Sequence, residues 1–253
     1  MQSDRPVLLI TGGSRGIGAA TALRAAQEGW AVAVNYRHES DAARTLVAAI
    51  EHDGGEAAAF AADVASNDAV LGLFTAVDQH FGTGRLGGLV NNAGIVGTTQ
   101  RVDEMTAARV QRMFAVNVFG SLYCAREAVL RMSTRHGGRG GHIVNVSSAA
   151  ARLGSPGQYV DYAASKAAID IFTLGLAREV AAEGIRVNAV RPGIIDTEIH
   201  ASGGEPDRAA RLANVVPMQR AGQAEEVARA ILWLLSDAAS YSTGTVIDVS
   251  GGR

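Results

Sequence analysis

At 253 residues, with 47% hydrophobic and 19% charged side chains, the chain can bury a sizeable core and has the composition of a globular protein. A formal net charge of −2 offers no polyanion-binding surface, so nucleic acid is not an expected partner. A single cysteine, Cys124, excludes an intrachain disulfide and fits a reducing, cytoplasmic setting, and the apolar run at 7–10 is too short for a signal sequence or a membrane span, so no membrane partner is expected.

Taken in chain order, residues 7–11 read as a buried strand, followed at once by a glycine-rich turn and a helical stretch at 16–28. Strand 31–35 leads to helix 41–53, and strand 57–61 to helix 67–81, where Ser66 or Asn67 is the expected N-cap. Strand 88–91 precedes a long helix at 107–131, and a glycine-rich loop at 135–141 precedes strand 142–147. Helix 159–183, strand 186–190, helix 225–235 and strand 246–249 complete the pattern. Several strands are apolar at successive positions, as strands covered on both faces are. The β–α alternation predicts an α/β fold with a parallel sheet and helices on both faces, one domain over 1–253 with no dividing linker or repeat.

Segment 196–217 breaks the rhythm: it is long and polar and contains Gly203, Gly204 and Pro206. It reads either as a lid over a site or as a surface excursion. Asp207, Arg208 and Arg211 within it read as a solvated charged face. The stretch 231–235 is apolar all round, which points to burial at a subunit contact. Cys124 reads as a small buried apolar group. The histidines at 38, 52, 80, 136, 142 and 200 form no ligand pair on one helix face, so no metal is expected.

The chemistry begins in the turn after the first strand. Gly12 suits a tight turn, Gly16 lets backbone approach a pyrophosphate, and Gly18 lets the helix pack close to the strand. The helix N-terminus then offers free N–H groups and partial positive charge to phosphate. The second strand ends in Asn35, Tyr36 and Arg37, without the acid that usually accepts from ribose hydroxyls in NAD sites. Arg37, with Arg15 from the glycine turn, suits a ribose 2′-phosphate, so NADP(H) is expected over NAD(H), with dual use left open. The alternative is that both arginines are solvated surface charges. Tyr162 and Lys166 are four residues apart in a helical stretch, hence stacked on one face. An ammonium beside a phenol is expected to lower its pKa from about 10 toward the physiological range, which general acid–base work requires. Tyr159 is assigned to the pocket wall or to packing.

The glycine turn, Asn91-Asn92-Ala93-Gly94, Tyr162-Ala163-Ala164-Ser165-Lys166, Arg191-Pro192-Gly193 with Thr197, and the stretch from Tyr241 to Gly252 together resemble the short-chain dehydrogenase/reductase family, in the family's order and over nearly the whole chain. The resemblance implies a doubly wound, Rossmann-type sheet. It implies a hydride transfer between NADP(H) and a carbonyl or secondary alcohol of a small molecule, with Tyr162 as acid and base. Gly12, Ser14, Arg15, Gly16, Ile17 and Gly18, with Asn35 and Arg37, are implied to hold the adenosine phosphate half. Asp63 and Val64 would meet adenine, and Asn91, Ala93 and Gly94 its ribose. Pro192, Gly193, Ile195 and Thr197 would close on nicotinamide, with Tyr162 and Lys166 beside its ribose. A local cap for Asp63 and a sheet-stabilising amide for Asn91 are the alternatives.

Ser148 matches the family serine that bonds the substrate oxygen, although it lies one residue further from Tyr162 than in many relatives; the extra residue falls in 157–161, and Ser147 is the fallback. Asn117 would hold a water connecting Lys166 to solvent, or else bond backbone. A homotetramer is implied, through the C-terminal helix and the pair 107–131 and 159–183. The substrate cavity is expected along 149–153, 193–195 and the 196–217 lid, with sugars or polyols, ketoacyl thioesters and simple ketones all open. A non-catalytic dinucleotide sensor would show a damaged Tyr–Lys–Ser set, and an enoyl reductase a wider Tyr–Lys spacing. Neither feature is present.

Overall fold

A computed structural model describes residues 4–253; Met1–Ser3, part of the expected domain, lie outside the described residues. The strands are β1 (Val7–Ile10), β2 (Ala31–Tyr36), β3 (Glu56–Ala61), β4 (Leu86–Asn91), β5 (Gly141–Val146), β6 (Ile185–Pro192), the short pair β7 (Ile195–Asp196) and β8 (Gly222–Gln223), and β9 (Val246–Val249). Seven form one parallel sheet in the order β3-β2-β1-β4-β5-β6-β9. The helices are α1 (Gly16–Gln27), α2 (Ser40–His52), α3 (Asn67–Phe81), α4 (Ala107–Phe114), α5 (Gly120–Met132), α6 (Ala150–Leu153), α7 (Val160–Val180), α8 (Ile199–Ser202), α9 (Arg208–Arg211) and α10 (Ala224–Leu235).

The continuous apolar strands explain the two layers. Alternate side chains point to opposite faces of a strand, so Val7 and Leu9 enter one core while Leu8 and Ile10 enter the other. The first core takes Phe74 and Phe81 of α3, Cys124 and Met132 of α5, and Val180 of α7. The second takes Ala22 of α1, Leu46 of α2, and Ile231 and Leu234 of α10. Ser66 caps α3, accepting from the Ala69 N–H.

Strand order reverses at β1, which lies between β2 and β4. In such sheets a crevice opens outside the carboxyl ends of the strands at that point, and the glycine turn leaves β1 there. The expected helix 107–131 is broken by a π-helical turn, Ala115–Phe119, around Asn117. The apolar run of α10 needs no partner subunit to cover it: Ile231, Leu232, Leu234 and Leu235 are buried in the chain's own core, and only Trp233 stands out, at 42% exposure. The segment 196–217 is less irregular than its polarity implies. It carries α8, α9 and a turn at Ala213–Val215, and the parallel pairing of β7 with β8 ties its two ends together. Ile194, Ala209 and Val216 form a small core beneath it.

Candidate active site

The glycine turn is held by its neighbours. Thr11 Oγ1 accepts from the N–H groups of Asn92 and Ala93, both at 3.0 Å. Gly12 sits at φ +58°, a left-handed conformation in which a side chain is strained, and a Cβ there would come 2.9 Å from Ala93 Cα. A Cβ on Gly18 would lie 2.6 Å from the Gly12 carbonyl oxygen, so α1 presses on the turn as closely as backbone allows. No side chain caps the α1 N-terminus, which leaves its N–H groups for a ligand.

A cleft of about 310 Å³ opens at this terminus. Gly12, Ser14, Arg15, Gly16 and Ile17 line it from the turn, Asn35 and Arg37 from the end of β2, and Val64, Ala93, Gly94 and Thr197 from the other walls. Asn35 also braces the turn: its Oδ1 accepts from the Gly12 N–H at 3.3 Å, and its Nδ2 donates to the carbonyls of Phe60 and Ala62. Arg15 pairs with Glu39 at 3.2 Å, and Arg37 with Asp63 at 3.0 Å. Exposed pairs of this kind contribute about 1 kcal/mol or less, so a dianionic phosphate can compete for both guanidinium groups. These residues fit a dinucleotide.

Two residues assigned to the adenosine site are not among those lining the cleft. Asp63 is occupied by Arg37, by Arg112 at 3.0 Å and by the Ala65 N–H at 3.1 Å, instead of being free for an adenine amino group. Burial alone would raise its carboxyl, but the Ala65 bond and the Arg112 and Arg37 charges outweigh it and hold it below the usual range. Asn91 is buried against α5 and the next strand, its Nδ2 donating to Ser121 O and Asn145 Oδ1. That is the sheet-stabilising arrangement. Its neighbour Asn92 faces the cleft and donates to the carbonyls of Thr11 and Gly12. Arg112 also lines the cleft and was not foreseen, because nothing local distinguishes it on an amphipathic helix.

A second cavity of about 410 Å³ shares Ile17, Asn92, Gly94 and Thr197 with the first. Ser148, Tyr162 and Lys166 line it, as do Pro192, Gly193 and Ile195. The fallback Ser147 also borders it, but its side chain is buried and its hydroxyl donates to the Lys166 carbonyl at 3.1 Å. Residues with positive φ at Gly154, Ser155 and Gly157 form the turn into α7, which accommodates the extra residue before Tyr162. Tyr159 packs edge-on to Tyr162, ring centres 5.7 Å apart, and forms part of the wall.

Lys166 Nζ donates to the Val146 carbonyl at 2.8 Å and lies 5.7 Å from the centre of the Tyr162 ring. The expected acidification of Tyr162 is not what its surroundings produce. Burial pushes its phenol up to about 12, against a hydrogen bond with Ser148 that draws it down. Burial also pushes Lys166 down to about 8, opposed by the Asp170 carboxylate. Desolvation penalises whichever form is charged, so the two groups move toward neutrality.

Asn117 lines neither cavity. Its Oδ1 accepts from the Ile95 N–H at 2.8 Å and its Nδ2 donates to Ile95 O at 3.0 Å and Ser165 Oγ at 3.1 Å. It clamps the segment that follows Gly94, so the backbone-bonding alternative describes its contacts. Arg208, read as part of a solvated face, is the larger departure: its side chain is 11% exposed and lines the second cavity.

Residues 12–253 match the family model described as Enoyl-(Acyl carrier protein) reductase. The chain is 58% identical to the uncharacterized oxidoreductase YgfF of Escherichia coli (strain K12), over 98% of this chain and 99% of that one. It is 42% identical to 3beta-hydroxysteroid dehydrogenase 1 of Eggerthella lenta, covering 97% and 92% of the two chains. The solved structure of a short-chain dehydrogenase/reductase from Serratia marcescens superposes with a TM-score of 0.89 at 36% identity, covering 98% of this chain and 97% of that one.

Proposed function

The chain belongs to the short-chain dehydrogenase/reductase family of oxidoreductases, and from that premise we propose that it transfers a hydride between NADP(H) and the carbonyl or secondary alcohol of a small molecule. The observation that carries this reading is the second cavity, where Ser148, Tyr162 and Lys166 meet the wall shared with the glycine-turn cleft. Bound NADPH supplies the hydride. Ser148 and Tyr162 present two hydroxyl donors to a carbonyl oxygen. A phenol held near 12 stays protonated at neutral pH and can give its proton to the forming alkoxide. The phenolate that remains is then stabilised by the Lys166 ammonium. The Lys166 Nζ lies 5.7 Å from the ring centre, and the attraction grows as negative charge appears on the phenol. The cation therefore acts when charge develops, not beforehand.

Arg15 and Arg37 support a preference for NADP(H), and Asn117 supports catalysis by fixing Ile95, the residue after the cleft-lining Gly94. Segment 196–217 serves as the lid, tied at its base by β7 and β8. A homotetramer in the cytoplasm completes the reading, in keeping with exposed apolar residues on α7 and a single, buried thiol. The description of the matching model favours an enoyl reductase as a second reading; the hydroxysteroid dehydrogenase relative, named for oxidation at a carbinol carbon, favours the first.

The test is consumption of NADPH and NADH in parallel with a panel of activated ketones, secondary alcohols in reverse, and an enoyl thioester. Ketone turnover with NADPH preferred is expected, and Tyr162→Phe should lower kcat by about 100- to 10,000-fold with cofactor binding retained. Turnover of the enoyl thioester alone would favour the rival enzyme. Cofactor binding without turnover would favour a sensor.

A further inference from the structure

We propose that Arg208 gives the substrate cavity a subsite for an anionic group, so that the preferred carbonyl substrate carries a carboxylate or an equivalent acidic group; this rests on the carbonyl-reductase reading above. The guanidinium lies over the Tyr159 ring, Cζ 5.2 Å from its centre, and that ring is 5.7 Å from the Tyr162 ring. Together these place Arg208 Cζ within about 11 Å of the reacting phenol's ring. A molecule with its carbonyl at Tyr162 can therefore reach Arg208 with its other end.

The charge around the cavity is one-sided. Among the described residues, Lys166, Arg208 and Arg253 line it and no aspartate or glutamate does. Arg208 has one carboxylate behind it: Nη1 donates to Glu205 Oε1 and Oε2 at 3.2 and 3.1 Å, while Nη2 donates to Gln158 Oε1 at 2.7 Å. Glu205 is shared. It also pairs with Arg211 and accepts from Thr99 Oγ1 at 2.8 Å. One negative charge thus serves two guanidinium groups. The fork also hydrogen-bonds the Tyr159 hydroxyl; its other partners are neutral, so a nearly buried cation shares a single carboxylate, and such a cation is costly unless its charge is matched. Glu205 and Gln158 fix the fork in place beforehand, which lowers the entropic cost of capturing an anion. The cavity walls also include Leu153, Pro156 and Ile195, which suit an apolar body.

The probes are 4-acetylbenzoate and its methyl ester, matched in skeleton and differing in charge. Each is assayed with NADPH against the wild type, Arg208→Gln and Arg208→Lys, with calorimetric binding of both to the NADP-bound protein. The wild type is expected to favour the acid, and Arg208→Gln to lower the acid-to-ester ratio of kcat/KM by about 10- to 100-fold, as loss of a charged hydrogen bond implies. Arg208→Lys should recover part of the ratio by keeping the charge. The ratio cancels any general loss from a loosened lid. If both substrates lose equally in Arg208→Gln, or if the wild type does not distinguish them, the anion subsite is refuted while the carbonyl-reductase reading stands. If the wild type neither reduces nor binds either compound while other ketones of the panel are turned over, the anion subsite is refuted alone; if no ketone of the panel is turned over, the carbonyl-reductase reading falls with it.

Discussion

Tyr162 and Lys166 share one helix face, Tyr162 half-buried and Lys166 buried, and desolvation drives them in opposite directions, to about 12 and about 8. The consequence is a pH profile whose alkaline limb belongs to the lysine. Carbonyl reduction needs the phenol protonated and the ammonium charged. As pH rises through about 8, Lys166 loses its proton while Tyr162, near 12, keeps its own. We therefore expect kcat/KM for NADPH, which reports the free enzyme, to fall about tenfold per unit above that point. A profile flat to pH 10 would contradict the assignment. At this scale the sequence foresaw the pair and its shared face, since spacing along a helix sets both. It did not foresee the direction of the phenol's shift. That depends on how completely α7, β5 and the turn at 154–158 exclude water, and no residue type encodes it.

The contact between α1 and the glycine turn belongs to the scale of the element. The helix approaches the Gly12 carbonyl so closely that a Cβ at Gly18 would lie 2.6 Å from the Gly12 oxygen and 2.7 Å from Asn92 Nδ2. Gly18→Ala must displace α1 or the turn, and overpacking of this sort costs about 1–3 kcal/mol. Urea denaturation should register that loss, accompanied by weaker NADPH binding because the helix N-terminus moves. An unchanged midpoint would mean that the contact relaxes freely. The π-turn in the helix that begins with α4 shows what element-level patterning misses. Periodicity predicts an unbroken helix, but Asn117 is drawn into pairing with both backbone groups of Ile95, and the extra residue per turn accommodates it. Asn91 and Asn92 teach the same lesson: Asn91 ends β4 and Asn92 lies just beyond it, so which amide meets the cleft follows from where the strand stops.

Over the whole molecule, burial of α10 by its own sheet removes one reason for expecting a subunit contact, yet apolar side chains remain uncovered elsewhere. Ile171 on α7 is 71% exposed and Phe119, in the π-turn, 47%. If these faces join subunits, light scattering behind size exclusion should give four times the 26.2 kDa chain mass. Ile171→Glu should then shift the protein to smaller species, because a charge cannot be desolvated there without a partner. A wild-type monomer would overturn the tetramer.

Sequence alone determined the parallel sheet with helices on both faces, the uncapped helix after the glycine turn, and the stacking of Tyr162 on Lys166, because each follows from a repeat or spacing within a few residues. Only the tertiary structure decided that Asp63 is tied to Arg37 and Arg112, that Asn92 rather than Asn91 faces the cleft, and that Arg208 lines the same cavity as Tyr162 instead of standing in solvent. Charge pairing and desolvation depend on partners about fifty residues away, as between Arg208 and Gln158, and those distances close only when the chain folds.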